Sequence, residues 1–398
     1  MTGAKPAPAT GVHLAEGCLV ANASPAACLG PAHVSTPTRY DAILLSSFGG
    51  PEGQNDVIPF LRNVTRGRGI PDARLEEVAH HYRHFGGISP INEHNRQLKA
   101  ALEARLAARG VDLPVVWGNR NWAPYLNDAL VEAHQAGYRR LIAIATSAYS
   151  SYSSCRQYRE DWADALEDTG LQQELTIDKV RAFFNHPGFV TPFAEGLAAA
   201  LAEADRDGFH VHEVEVLFST HSIPMADAAL SGGRDVDRGP GGAYAFQHRA
   251  VADYLIGQVN PDIAWQLVYQ SRSGPPSQPW LEPDINDAIN ALDPERKAVI
   301  IVPLGFVSDH MEVMWDLDEE ATATARDAGL WVRRTPTPGV HPAFVDGLVD
   351  LVLERIQGRP VEQRAALTEP GPWFDVCRPG CCENPRLGFK PAVSGLLP

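Results

Sequence analysis

One histidine stands at the end of an apolar run, where it can take part in acid–base or metal chemistry. Residues 214–224 read VEVLFSTHSIP, so a predicted strand delivers His221 into a loop closed by Pro224. Ligands bind at the carboxyl ends of the strands in open parallel sheets. A neutral imidazole there can accept a proton or bind a metal ion. A lone histidine at a strand end is more often an ordinary loop residue, so this segment alone leaves both interpretations open.

Three carboxylates share one stripe of a predicted helix that follows the strand VIIVPL. Glu312, Asp316 and Glu320 are spaced i, i+4 and i+8, which puts them on one helical face. Like charges at this spacing destabilise an exposed helix. A capping box of Asp309 and Glu312 is the structural alternative, but it does not account for the other two carboxylates. A hard divalent cation would use such a stripe as a stepping path.

Four of the six cysteines lie beyond the first 39 residues: Cys155, Cys377, Cys381 and Cys382. The last three stand in the run CRPGCC, in a tail rich in Pro and Gly that does not favour a helix. Four thiolates can hold zinc or a [2Fe–2S] cluster. The C-x2-C spacing usual for zinc is missing, and a disulfide between the adjacent Cys381 and Cys382 would be strained. A cluster, zinc and free thiols all remain open at this point.

Short apolar runs alternate with helix-length amphipathic segments from Tyr40 onward, which indicates an α/β fold of parallel strands joined by helical crossovers. A helix is predicted over 193–204, after the sequence NHPG. The predicted buried strands are 41–46, 114–118, 140–145, 214–219, 263–270 and 298–304.

The length of 398 residues favours two domains. We predict a disordered extension or an overlong start over 1–39, an N-terminal domain over 40–187 completed by a helix near 340–358, a C-terminal domain over 188–335, and a Cys-containing tail over 359–398. The formal net charge of −15 makes nucleic acid an unlikely partner. No apolar run is long enough for a transmembrane helix. We expect a cytoplasmic monomer.

Five motifs, in order, resemble the signature regions of ferrochelatases. They are SSFGGPEG (46–53), FGGISPIN (85–92), LFSTHSIPM (217–225), QSRSGPPSQPWLEP (270–283) and VPLGFVSDHMEVMWDLD (302–318). The resemblance covers the chain from about Tyr40 to its end. It implies the chelatase fold, which has two similar Rossmann-like domains of parallel sheets flanked by helices, with a porphyrin in the cleft between them. It also implies an enzyme that inserts Fe2+, its metal substrate, into a porphyrin.

The same resemblance implies roles for individual residues. It makes His221 the active-site histidine and Glu312 its partner carboxylate across the porphyrin, with Asp316 and Glu320 continuing the metal path. It also implies that Arg66, Tyr82 and Ser89 lie near the propionates, and that Trp280 lies near the macrocycle rim or the cleft wall. Arginine suits carboxylates because its planar fork makes two parallel bonds. Relatives that use coproporphyrin often carry Tyr where this chain has Phe48, so any role of that Tyr as an axial ligand is absent.

Several ferrochelatase lineages resemble this chain in having one internal and three C-terminal cysteines that ligate a [2Fe–2S] centre. The resemblance therefore favours a cluster on Cys155, Cys377, Cys381 and Cys382. Transient contact with other enzymes of haem biosynthesis is a further expectation.

The substrate is predicted from the interval 52–85, which is short and polar and contains Arg62, Arg66 and Arg68. Ferrochelatases that take protoporphyrin IX have a long apolar lip there. A polar rim suits the four propionates of coproporphyrin III, because an unpaired buried carboxylate is costly. The alternatives are a protoporphyrin IX ferrochelatase, a cobalt or sirohydrochlorin chelatase, and a tetrapyrrole-binding protein without catalysis.

Overall fold

The structure is a computed structural model that describes residues 33–233, 238–274, 277–378, 380–384 and 390–395. The greater part of the predicted extension, with Cys18 and Cys28, lies outside these residues. No helix among the described residues has the length and apolar character needed to cross a membrane.

Two parallel four-stranded sheets form the framework. The first has the order β2-β1-β3-β4 and the second the order β6-β5-β7-β8, so the same winding occurs twice. In chain order the strands are β1 Ala42–Ser47, β2 Val115–Asn119, β3 Arg140–Ala145, β4 Thr176–Lys179, β5 Val214–His221, β6 Ala264–Gln270, β7 Ala298–Val302 and β8 Trp331–Arg334. The predicted α/β class with parallel sheets is confirmed.

Helices flank both sheets. In chain order they are α1 Val57–Val64, α2 Asp72–His84, α3 Ile91–Ala108, α4 Leu126–Gln135, α5 Gln157–Thr169, α6 Pro187–Arg206, α7 Met225–Ala229, α8 Gly242–Val259, α9 Ile285–Asn290, α10 Met311–Val313, α11 Thr322–Asp327 and α12 Pro342–Ile356. Two π-helical segments, Tyr152–Arg156 and Met314–Ala321, lead into α5 and α11, and short 3-10 turns cover Gln54–Asp56, Val211–Glu213 and Val361–Gln363.

The central strands are apolar on both faces because helices cover both faces of each sheet. Ile43 and Leu45 of β1 face the largest core, which also contains Phe218 of β5, so one core joins the two halves. Leu44 faces a second core, with α4 and α5. Leu217 faces a third, with α9. Helix α12 packs against both α3 and α6, and it lies where a closing helix near 340–358 was predicted.

Three local expectations change. Two of the four edge strands, β4 and β8, were not predicted, because each has only four residues and their sequences TIDK and WVRR are not apolar runs. Helix α6 begins at Pro187, earlier than the predicted 193, since Pro fits the first position of a helix. Val34 is buried, and its N–H donates to Asp375 Oδ2 at 2.7 Å, so packed chain begins before Tyr40.

Candidate active site and four-cysteine site

His221 ends β5 and faces Glu312, which lies in α10 at the start of the acidic helix, the continuous helical segment 311–327 that carries the three carboxylates. Its Nε2 lies 3.6 Å from Glu312 Oε2, while Nδ1–H donates to the Ser222 carbonyl. The side chains are 34% and 50% exposed, respectively, so both are open to a ligand. The backbone of His221 is held too, since the Tyr244 hydroxyl donates to its carbonyl oxygen at 2.9 Å. Strand end, loop and helix start therefore bring an imidazole and a carboxylate to one point.

The two groups shift each other's protonation. Burial lowers the pKa of His221, but the nearby Glu312 carboxylate outweighs that effect and raises the pKa to about 9. Burial acts to raise the pKa of Glu312, and His221 reverses this so that the net shift is downward. The ligand-free site therefore holds an imidazolium–carboxylate pair near neutral pH. A free imidazole becomes available only when something else takes over the negative charge of Glu312.

The capping box of Asp309 and Glu312, which the sequence offered as a structural alternative, is not formed. The N-cap is His310, whose Nδ1 accepts from the Glu312 N–H at 3.2 Å. Asp309 instead accepts from Arg334 of β8 at 3.1 Å and from Thr337 at 2.9 Å. Glu312 is thus not used as a capping side chain. Its carboxylate is left to face His221.

Asp316 lies one step further along the stripe, within the π-helical segment. The Ser271 hydroxyl donates to Asp316 Oδ2, and Gln270 Nε2 approaches the same oxygen at 3.3 Å. Gln270 Nε2 also donates to the Glu312 carbonyl at 3.0 Å. Burial and the charge of Glu312 together raise the pKa of Asp316 to about 7. The loop after β6 therefore fixes a carboxyl group that titrates near neutrality.

Glu320 is the exposed end of the stripe and lies near helix α2 of the N-terminal half, which Trp315 contacts. It accepts a hydrogen bond from Trp315 Nε1 at 2.7 Å. Trp315 stacks on His81 of α2 with ring centroids 4.0 Å apart. The stripe thus runs from the partly exposed His221–Glu312 pair to a surface where α2 and the acidic helix meet.

The four porphyrin-contact candidates have different surroundings. Tyr82 packs on Phe60, with ring centroids 5.7 Å apart. Burial raises its pKa, and the charge of Glu312 adds to the rise. Ser89 is buried, and its N–H donates to the Pro51 carbonyl at 2.9 Å.

The other two candidates lie on loops. Trp280 pairs with Pro224 through a β-bridge, and its buried Nε1 has no hydrogen-bond partner among the described residues. Arg66 is exposed and donates to Asn63 Oδ1 at 2.7 Å. Of the four, the structure places Trp280 against the His221 loop through its bridge to Pro224. Arg66 lies at the exposed end of the α1–α2 connection, and its role stays a prediction.

One other group of ligating side chains comes together in the described part of the chain. Ligand atoms of His186, Asp350 and Glu354 lie within 4.8 Å of one another. Arg181 Nε donates to Glu354 at 2.8 Å, and Arg359 Nη1 donates to Asp350 at 2.9 Å. Because guanidinium groups already satisfy these carboxylates, the cluster is an ion-pair network that joins α12 to the rest of the fold.

Cys155 and the three tail cysteines, more than 200 residues away in the sequence, form one cluster. Cys155 comes from the π-helical segment before α5, and the other three come from the tail. Cys381 and Cys382 have their sulfur atoms 3.7 Å apart, and the Gly232 N–H donates to Cys382 Sγ at 3.2 Å. Among the described residues, no three cysteine sulfurs lie within 4.8 Å of one another. A single tetrahedral metal would need all four about 3.8 Å apart, given Zn–S bonds of about 2.3 Å.

The thiols shift one another's pKa and lie near buried cations. Hydrogen bonding from Cys382 lowers the pKa of Cys155, and hydrogen bonding from Cys381 lowers that of Cys377. The same bonds raise the pKa of Cys381 and of Cys382. Arg159 and Lys179 are buried beside them. Four convergent thiols with buried cations next to them fit an anionic metal–thiolate group.

The chain matches the family model described as Ferrochelatase over residues 40–356. It belongs to the ferrochelatase family. The family resemblance of the five motifs is thereby confirmed. A protein of Leifsonia xyli named coproporphyrin III ferrochelatase is 66% identical over 387 residues, covering 94% of this chain and 99% of the relative. A relative of the same name in Tropheryma whipplei is 57% identical over 365 residues, with 91% and 93% covered. One in Streptomyces coelicolor is 52% identical over 374 residues, with 89% and 96% covered.

Three groups in this ferrochelatase were not found from the sequence. Tyr244 supports His221 from helix α8, Ser271 bonds Asp316, and Arg159 lies beside the cysteines. Tyr244 and Arg159 sit inside helices with no distinguishing motif. Ser271 falls within the ferrochelatase-like segment 270–283, and its positive φ of 61° marks a special backbone position. That segment was the one available signal.

Proposed function

We propose that this ferrochelatase inserts ferrous iron into coproporphyrin III to give coproheme in haem biosynthesis. The observation that carries the proposal is the His221–Glu312 pair, set open to a ligand in a chain of this family. The choice of porphyrin is supported by the relatives that bear the name coproporphyrin III ferrochelatase. The chain is accordingly an enzyme, and the iron is its substrate.

His221 is the proposed acceptor for the pyrrole protons, and Glu312 the carboxylate that stabilises the incoming metal. In the ligand-free site Glu312 keeps His221 protonated, with a pKa of about 9. An arriving Fe2+ would neutralise Glu312 and remove the main influence that raises this pKa. The imidazolium, which is partly exposed, would then give its proton to solvent water, and the neutral imidazole could accept one pyrrole proton at a time from the macrocycle. Metal arrival and base activation are coupled through one carboxylate.

The acidic stripe is the proposed route for iron. Glu320 is exposed, Asp316 is partly buried and Glu312 faces the histidine. Ligand atoms of His221, Glu312 and Asp316 do not fall within 4.8 Å of one another in the described structure. The stripe therefore offers successive stations and no closed cage, which suits an ion that must leave again.

Coproporphyrin III would be held by polar groups at the rim. Arg66 has its guanidinium exposed and needs only to exchange Asn63 for a propionate. Tyr82 and Trp280 would form walls of the porphyrin cleft, one from each half of the chain. Ser89 packs against Gly50 and so supports the glycine loop. Each charge-assisted bond to a propionate would contribute roughly 1.5–3 kcal/mol.

The test is steady-state metallation of coproporphyrin III and of protoporphyrin IX by the purified protein with the same Fe2+ source. We expect a higher kcat/KM for coproporphyrin III. A preference for protoporphyrin IX would overturn the substrate. Binding of either porphyrin with its free-base spectrum unchanged in the presence of Fe2+ would point to a carrier without catalysis.

We also propose that Cys155, Cys377, Cys381 and Cys382 hold one [2Fe–2S] cluster. The donor set is four thiols, and their spread-out arrangement suits a two-iron group better than one tetrahedral ion. Such a group supplies a one-electron centre when bound. Protein isolated without oxygen should be red-brown, with about two irons per chain. The colour should survive replacement of Cys18 and Cys28, whereas stoichiometric zinc in colourless protein would contradict the proposal.

A cytoplasmic location, a monomeric state and transient contacts with other haem-pathway enzymes stay predictions of the sequence.

A further inference from the structure

Arg159 is a buried cation with no carboxylate partner among the described residues. It lies in α5 and is 2% exposed. Its Nε donates to the Val393 carbonyl at 2.7 Å, and its Nη1 is buried with no hydrogen-bond partner in the described part of the chain. Burying an uncompensated charge is strongly unfavourable. Something that carries negative charge must therefore face this guanidinium in the working protein.

Other buried arginines of the chain show the usual solution. Arg364 donates to Asp375 at 2.6 Å, and both side chains are essentially inaccessible. Arg156, one turn before Arg159, is paired with Glu160 at 2.7 Å. Each of these cations has its own carboxylate in the same pocket. Arg159 differs in having only a backbone carbonyl as a described partner.

The groups that do face Arg159 are the four cysteines. Burial lowers the pKa of Arg159, but the charges of Cys377, Cys381, Cys155 and Cys382 reverse this and leave the pKa raised. The guanidinium also lies against Gly395, where an added Cβ would stand 1.8 Å from Nη2. Gly395 is bridged to Cys377. The backbone is thus kept free of a side chain at the point where the cation approaches the thiols.

Lys179 adds a second buried positive charge on the same side. It is 6% exposed, and its Nζ donates to the Phe374 carbonyl at 3.0 Å. It also lies close enough to Cys155 and Cys377 to lower their pKa. No described carboxylate forms an ion pair with it. Two buried cations without carboxylates therefore border one set of thiols.

We propose that Arg159 is the counter-charge of an anionic metal–thiolate centre on the four cysteines, and that it raises the reduction potential of that centre. The inference rests on the proposed [2Fe–2S] cluster. With two Fe3+, two sulfides and four thiolates, such a centre carries a charge of −2, and one added electron makes it −3. A fixed positive charge stabilises the more negative form, so reduction becomes easier.

The experiment is a redox titration of the intact, cluster-containing protein with dithionite as the electron donor. Arg159→Gln removes the charge, and Arg159→Lys keeps it. We expect Arg159→Gln to lower the ratio of reduced to oxidised cluster at a fixed potential by roughly tenfold, which is about 59 mV for one electron. Arg159→Lys should recover most of the shift. The double variant Arg364→Gln/Asp375→Asn removes a paired buried arginine and should leave the potential unchanged.

Thermal unfolding with and without the metal separates charge compensation from ordinary packing. In the loaded protein Arg159→Gln should lower the Tm, since the centre loses its counter-charge. In protein stripped of iron and kept reduced, the same variant should be as stable as the parent or more so, because the buried cation then has no partner. A variant that is equally less stable in both forms would show a packing role only and overturn the inference.

Two further outcomes are decisive. If Arg159→Gln does not load at all, Arg159→Lys loading to parental levels supports the charge requirement, whereas equal failure of both variants overturns it. Gly395→Ala, whose Cβ would displace Nη2, should shift the potential in the same direction as Arg159→Gln. Parent protein without iron and acid-labile sulfide overturns the cluster itself. A loaded Arg159→Gln with the parental potential overturns only the role of Arg159.

Discussion

The Nε2 of His221 lies 3.6 Å from Oε2 of Glu312, and each group holds the other in its charged state. The proposed base is therefore protonated until a cation reaches its partner. This order of events differs from the expectation of an imidazole with an unperturbed pKa near neutral pH. It makes the protonation state of His221 an observable that reports on Glu312.

Replacing His221 by Ala should lower kcat for coproporphyrin metallation by ~100-fold or more, the usual loss for a general base. His212→Ala, an exposed histidine in the Val211–Glu213 turn, is the matched control and should retain parental kcat. Circular dichroism should show both variants folded. A folded His221→Ala enzyme with near-normal kcat would contradict the proposed mechanism.

Glu312→Gln should lower the pKa of His221 from about 9, because burial then acts on the imidazole without an opposing charge. Proton NMR of the histidine ring measures this shift directly. The ion pair has a corresponding effect on stability. The raised pKa of His221 stabilises the fold fully below about pH 6.5, and this contribution is lost as pH rises through about 9.

The lowered pKa of Glu312 contributes stability above its unfolded value, and this is lost as pH falls. Glu312→Gln should therefore destabilise the protein most near pH 5.5 and least above pH 9, with urea unfolding as the measurement. An unchanged His221 titration in this variant would refute the coupling.

The sequence was informative where a residue's role depends on its own strand or loop. The apolar runs predicted six of the strands, and the strand end made His221 a candidate site residue before any family was considered. The capping-box alternative at Asp309 could not be excluded from the sequence, because the group that bonds this carboxylate is Arg334, on a strand more than twenty residues away. Arg159 was missed for a related reason: QYREDW looks like a solvated helical face, and only the tertiary fold buries it.

Asp316 should give iron uptake a pH dependence of its own. Its pKa is raised to about 7, so the carboxyl group is protonated below that value and is then a poor cation ligand. We expect kcat/KM for Fe2+ to rise as pH increases through about 7. Asp316→Asn should abolish this rise with pH and increase KM for Fe2+.

Ser271→Ala provides the matched control for this pH dependence. The hydrogen bond from the Ser271 hydroxyl lowers the pKa of Asp316. In the variant, the rise of kcat/KM for Fe2+ should therefore persist but occur at a higher pH. A pH profile that is identical in the parent, Asp316→Asn and Ser271→Ala enzymes would rule out Asp316 as a station for iron.

Arg66→Ala should distinguish propionate recognition from general electrostatics. The guanidinium is exposed, and its described partner is Asn63, so its loss should cost little stability. One charge-assisted bond is worth roughly 1.5–3 kcal/mol, or about tenfold and upward in kcat/KM. We expect that loss for coproporphyrin III, whose four propionates need more partners, and a smaller one for protoporphyrin IX. Arg206→Ala, an exposed arginine at the end of α6, changes the net charge equally and should leave both values unchanged. Equal losses for Arg66→Ala and Arg206→Ala would mean that the arginines only offset a net charge of −15.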